Sequence, residues 1–114
     1  MLTIEKLNQF GADTKEGLTR CFGNEEFYLK LAGMILEEPG FDRLKTALEA
    51  NDLKAGFEAA HALKGVLGNL SITPMYKLAS EMTELLRAGT VMDYQPMLDE
   101  LLKMKEQLKQ LAEE

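Results

Sequence analysis

Apolar residues recur at intervals of three and four along almost the whole chain, between residues that start and stop helices. No segment alternates apolar and polar residues with the β-branched side chains typical of strands. The 114-residue chain is therefore predicted to be all-α. Two of the predicted core-facing stripes are Phe27, Leu31, Met34 and Ile35, and Leu101, Met104, Leu108 and Leu111.

Helix-capping residues divide this pattern into short and longer helices. The longer segments are joined by short turns, which favours antiparallel neighbours. Residues 1–114 are therefore predicted to form a single domain, an antiparallel four-helix bundle with short extra N-terminal helices. The apolar spacing near the carboxyl end covers too few heptads for a coiled-coil dimer, so we expect a monomer. The residues predicted to begin helices are Thr3, Asp13, Asn24, Asp42, the pair Asn51-Asp52, Thr73 and Asp93.

Composition limits what such a bundle could bind. The formal net charge of −6 argues against nucleic acid and against an anionic membrane surface. The single cysteine, Cys21, cannot form an internal disulfide and fits a reducing compartment. No apolar run approaches the roughly 20 residues of a membrane span, and the first residues do not resemble a secretory signal. We expect a cytoplasmic protein that binds neither nucleic acid nor a membrane.

The only histidine of the chain, His61, lies in a predicted helix with a lysine and two glycines close by. At about 100° per residue, His61, Gly65 and Gly68 share the shoulder of the core-facing stripe. Glycine costs a helix roughly 1 kcal/mol relative to alanine, so two glycines beside one imidazole require a reason. Clearance for a partner protein is such a reason, and Lys64 is placed to reach an anion bound to the ring.

The residues alone leave three roles open for His61. A lone histidine at the edge of an apolar face is most often a packing residue. A metal ligand would need three or four donors, and the chain has no second histidine and one cysteine. Phosphoryl transfer is the third role, because neutral imidazole is abundant at pH 7 and forms covalent intermediates. Lys64 and the glycines favour this third role, since a nearby cation suits a phosphoryl group.

The segment from His61 to Gly65, His-Ala-Leu-Lys-Gly, resembles the signature of histidine-containing phosphotransfer (HPt) domains. That signature is a histidine, any residue, leucine, lysine and glycine, followed by a second glycine. The resemblance extends over about residues 10–112. Segments 22–29, 44–52 and 78–86 resemble, in turn, the start of the family's first long helix, the stretch before the histidine helix and the helix after it.

Some positions depart from the family pattern. Ser71 stands where many members have a glycine ten residues after the histidine, and Pro39-Gly40 interrupts a helix that is often longer. Many members place a glutamine or glutamate on the next helix, where it hydrogen-bonds the imidazole. The counterpart by position is Thr83, with Glu84 adjacent as a substitute. Both are assigned to the partner-binding surface.

The resemblance implies a histidine phosphotransfer protein of a two-component phosphorelay. His61 would accept a phosphoryl group from a receiver-domain aspartate and pass it to another, with Lys64 stabilising it and Gly65 and Gly68 facing the partner. The implied partners are a response-regulator receiver domain, a hybrid histidine kinase, or both. The chain has no glycine-rich nucleotide loop. We therefore expect a phosphocarrier rather than an enzyme, with no ATP site, cofactor or metal.

Two other functions stay open. The chain could be a helical adaptor or regulator that binds a signalling partner without being phosphorylated, with His61 as a surface or packing residue. It could also be a metal-dependent hydrolase, since Glu58 precedes His61 by three positions and forms half of a Glu-x-x-His pattern. No second copy of that pattern occurs.

Overall fold

The structure, a computed structural model, describes all residues from Met1 to Glu114. It contains helices and no strand, so the all-α prediction is confirmed. The α-helices are α1 (Ile4–Phe10), α2 (Thr14–Arg20), α3 (Glu25–Met34), α4 (Gly40–Glu49), α5 (Leu53–Asn69), α6 (Thr73–Arg87) and α7 (Gln95–Glu113). A short 3-10 helix, Ile35–Glu37, follows α3 directly.

Side-chain caps begin four of these helices. The side chains of Thr3, Asp13, Asn24 and Asp52 each accept a hydrogen bond from a backbone N–H three residues later, at 3.0–3.1 Å. Such a bond satisfies one of the unpaired N–H groups of a first helical turn and contributes about 1 kcal/mol. These four predicted starts are confirmed.

Three other starts differ from the prediction by one or two residues. Helix α4 begins at Gly40, directly after Pro39, rather than at Asp42. The N-cap of α6 is Ile72, so Thr73 is the first helical residue instead of the cap. In α7 the first residue is Gln95, whose N–H donates to the Asp93 carboxylate at 3.0 Å.

Helix α5 lies at the centre of the packing and determines which way His61 faces. It packs against α4 and α6, and α6 packs in turn against α7. Leu63 and Leu67 on α5 are fully buried, and burying a leucine side chain contributes about 1.5–3 kcal/mol. His61 lies at the edge of this buried stripe and is exposed. The remaining core residues come from α1, α3, α4, α6 and α7 and from the connecting segments.

The core-facing stripe of α3 matches the predicted one only in part, with Ile35 buried and Leu31 partly buried against the core. Of the four predicted residues only Ile35, at the helix end, is buried, whereas Phe27 is 46% and Met34 is 53% exposed. The buried face is formed by Tyr28, Ala32 and Ile35. Both stripes have helical spacing, and Tyr28 is favoured because its hydroxyl donates to the Leu70 carbonyl at 2.9 Å inside the core.

The turn between α5 and α6 explains why glycine suits the position of Ser71. Ser71 has φ +55°, in the left-handed region that favours glycine. It is buried, and its hydroxyl has no hydrogen-bond partner. The turn that follows α5 therefore has a serine in a backbone conformation that is strained for any residue other than glycine.

Helix α7 is the longest, with 19 residues. Leu101 and Leu108 are buried as predicted, and Met104 and Leu111 pack against the core while partly exposed. Charged residues recur along the rest of this helix. None of the helices combines the length and the apolar composition needed to cross a membrane.

Candidate functional site

The His61 imidazole is exposed in the middle of α5. The residue before it, Ala60, is fully buried, so the backbone that carries the imidazole is anchored in the core. No side-chain hydrogen bond within the chain involves His61. An incoming group therefore has no hydrogen bond within the chain to displace from the imidazole.

A pocket of about 490 Å³ opens beside the imidazole. It lies between α2, α5 and the start of α6, and nearly all of its lining side chains are polar or charged. His61, Lys64, Gly65 and Gly68, which the sequence grouped by helical spacing, all line it. The other lining residues are Asp13, Glu16, Arg20, Asn69, Ser71, Thr73 and Tyr76.

Lys64 is the cation nearest to His61 along α5. It is half-buried, and neither of the two ion pairs in the structure involves it. The other cation of the pocket, Arg20, is paired with Glu16 at 3.0 Å. Lys64 is therefore available to bind an anion in the pocket without first giving up a carboxylate partner.

The two glycines of the pocket serve different purposes. A Cβ atom built on Gly65 would have no atom within 4 Å, so the space beside Gly65 is open. A Cβ atom on Gly68 would lie 2.9 Å and 3.0 Å from two ring carbons of Tyr76. The prediction that both glycines leave room for a partner is therefore wrong for Gly68, where the ring of Tyr76 already occupies the space.

A comparison with protein families identifies this arrangement. The model of the Hpt domain family matches residues 38–113, which include all of α4 to α7. The chain belongs to the Hpt domain family. Membership implies a phosphotransfer role in two-component signalling. No curated protein and no solved structure matches the chain.

Part of the pocket lies outside the segment that the Hpt domain match covers. Asp13, Glu16 and Arg20 belong to the α2 region and precede residue 38. Sequence reasoning did not place these residues near His61. The only available signal was their charge, which is equally typical of a solvated helix face.

The structure does not place Thr83 or Glu84 as expected. Thr83 is fully buried, and its hydroxyl donates to the Ala79 carbonyl at 2.6 Å. It cannot touch a partner, and the prediction for this position is wrong because Thr83 lies on the core-facing stripe of α6. Glu84 is exposed and pairs with Arg87 at 3.4 Å, with no hydrogen bond to His61.

An aromatic contact that sequence reasoning missed orients the imidazole of this Hpt domain. Phe57 lies one turn before His61, and the two rings stack with centroids 5.6 Å apart and planes 21° apart. On the helix after α5, the Arg87 guanidinium lies 5.1 Å from the Phe57 ring centroid. The contact from α6 to the imidazole therefore runs through Phe57, which sequence reasoning assigned to the core stripe.

A metal centre has no support in the arrangement of side chains. No group of three or more histidine, cysteine, aspartate or glutamate side chains is placed to hold a metal ion. Glu58, which forms the half-pattern with His61, lines a different pocket together with residues of α4.

Proposed function

We propose that residues 1–114 form one histidine phosphotransfer domain, with its longer helical segments arranged as an antiparallel four-helix bundle. The domain carries a phosphoryl group between receiver domains on His61. One observation carries this proposal: an exposed imidazole without a hydrogen bond shares a pocket with Lys64, an unpaired cation. A nucleophile and a cation on one helix face are what phosphoryl acceptance requires.

The proposed transfer is a displacement at phosphorus. The unprotonated imidazole nitrogen of His61 attacks the phosphorus of an aspartyl phosphate on a receiver domain. The N–P bond forms while the P–O bond to the aspartate breaks, and the aspartate leaves as a carboxylate. The second imidazole nitrogen keeps its proton. Lys64 offsets the charge of the phosphoryl oxygens, and the reverse displacement delivers the group to a second receiver aspartate.

The proposed partners are a response-regulator receiver domain, a hybrid histidine kinase, or both. The open space beside Gly65 supports the approach of a protein to the imidazole. Glu84 is exposed on α6, next to the Arg87 and Phe57 contacts, and is proposed to lie at the edge of the partner surface. The domain would act as a cytoplasmic monomer without an ATP site or cofactor, and the net charge of −6 and single cysteine support that setting.

The first test concerns the nucleophile. Because His61 is the only histidine, His61→Gln should abolish acid-labile phosphorylation by a phosphorylated receiver domain. Far-ultraviolet circular dichroism should show unchanged helicity, since the replaced ring is exposed. Label retained on the variant would overturn the proposal. A variant that lost the label but kept full signalling output would favour the adaptor function.

The second test concerns the cation. Lys64→Ala should slow transfer from the receiver about tenfold, which corresponds to about 1.4 kcal/mol of lost charge-assisted stabilisation. Lys54→Ala is the matched control, because Lys54 is an exposed lysine on α5 that does not line the pocket. Equal transfer rates for the two variants would show that Lys64 has no role in the chemistry.

A further inference from the structure

Helix α2 is held in place beside the His61 pocket by two contacts, one to the turn between α5 and α6 and one to α3. The Asp13 N–H donates to the Ser71 carbonyl at 2.9 Å, which ties the start of α2 to the turn between α5 and α6. At Gly17 the ring of Tyr28 lies so close that a Cβ atom would be 2.5 Å from it. These contacts fix the orientation of α2, and in this orientation its charged residues face the pocket.

The charges in this pocket are balanced only when Arg20 is counted. Asp13 and Glu16 carry negative charges, and Lys64 and Arg20 carry positive charges. A phosphoryl group on His61 would add a charge of about −1.5 to −2 near pH 7. With Lys64 as its only cation, the pocket would hold two carboxylates beside that group. A second cation in the pocket would offset this excess of negative charge.

We propose that Arg20 is this second cation. When His61 is phosphorylated, the guanidinium of Arg20 leaves Glu16 and binds the phosphoryl oxygens together with Lys64. The exchange is favourable because the Arg20–Glu16 pair is an exposed pair within one helix, with both side chains 49% exposed, and such pairs are weak. A guanidinium binds phosphoryl oxygens in a bidentate, charge-assisted geometry, which is stronger. The inference rests on the proposed function, since it requires phosphorylated His61.

The direct test follows the guanidinium of Arg20 in the unaltered protein. Phosphoramidate transfers its phosphoryl group to an imidazole and releases ammonia, so it can label the chain without a partner protein. Two-dimensional NMR of the arginine Nε–H groups should show a shift of the Arg20 signal on phosphorylation. The Arg43 signal should stay in place, because Arg43 lines a different pocket.

The outcomes of this experiment separate the two proposals. If phosphoramidate and a phosphorylated receiver both fail to label His61, the proposed function fails. If His61 is labelled and the Arg20 signal does not move, the role of Arg20 is overturned while the proposed function stands.

Two variants test the same idea through energetics. Arg20→Gln and Glu16→Gln both remove the same ion pair. If that ion pair were only structural, the two variants would change the phosphorylation equilibrium in the same direction. We expect opposite changes in the equilibrium ratio of phosphorylated chain to phosphorylated receiver. Arg20→Gln should lower the ratio about fivefold, and Glu16→Gln should raise it about twofold because it removes a competing carboxylate. Changes of the same sign, or no change for Arg20→Gln, would overturn the proposal.

Discussion

Replacing the two pocket glycines by alanine should change stability in opposite directions, although both lie on the same face of α5. At Gly65 the new methyl group enters open space. At Gly68 it would lie 2.9 Å from the nearest ring carbon of Tyr76, a separation that requires the ring to move. The pair therefore separates an effect of the helix backbone from an effect of packing.

The magnitudes follow from the two environments. Gly65→Ala should stabilise the protein by about 0.5–1 kcal/mol, the ordinary advantage of alanine over glycine within a helix. Gly68→Ala has the same advantage but adds an overpacking cost of about 1–3 kcal/mol against the half-buried ring of Tyr76. We expect Gly68→Ala to be the less stable variant by about 1–3 kcal/mol, a melting-temperature difference of at least about 4 °C.

Urea denaturation followed by circular dichroism measures both free energies of unfolding. The same substitutions in a Tyr76→Ala background complete a double-mutant cycle. Without the ring, Gly68→Ala should stabilise the protein about as much as Gly65→Ala does. Equal stabilisation by both substitutions in the presence of Tyr76 would refute the packing explanation for Gly68.

Three further predictions concern stability. Burial raises the pKa of Tyr28 to about 12, whereas the pKa in the unfolded chain is near 10. The neutral Tyr28 side chain therefore stabilises the fold fully below about pH 10, and this stabilisation is lost as the pH rises toward about 12. Between about pH 8 and pH 12 the free energy of unfolding should fall by about 1–3 kcal/mol, as measured by urea denaturation at several pH values. Tyr28→Phe should reduce this fall, and an equal fall in the variant would contradict the prediction. Gly17→Ala should destabilise the protein by about 1–3 kcal/mol despite the helix preference of alanine, because the methyl group meets the Tyr28 ring at 2.5 Å; urea midpoints equal to the wild type would contradict this. Ser71→Gly should raise the free energy of unfolding by about 1 kcal/mol, because it relieves a positive φ and removes a buried hydroxyl without a partner; a lower value would show that the serine is stabilising.

Sequence reasoning could predict the helices and the position of His61 because both depend on near neighbours along the chain. A cap such as Asn24 or Asp52 bonds an N–H group three residues away, so its effect is contained in a short window. The spacing of apolar residues on α5 likewise predicts which side of the helix is buried. His61 lies at the edge of that stripe, and its motif with Lys64 and Gly65 lies within five residues.

Tertiary structure alone decided which of two equally spaced stripes on α3 faces the core, what fills the space at Gly68, and which charged residues stand near His61. Each depends on contacts that lie outside a single helix. Tyr28 is buried because its hydroxyl reaches the carbonyl of Leu70, 42 residues away. Arg20 lines the pocket because α2 is anchored to the turn between α5 and α6 and packs against Tyr28. The spacing of apolar residues shows that one face of a helix is apolar, but it does not show which residues pack against that face. The contacts that complete this site are contacts between different helices, so the tertiary structure was needed to find them.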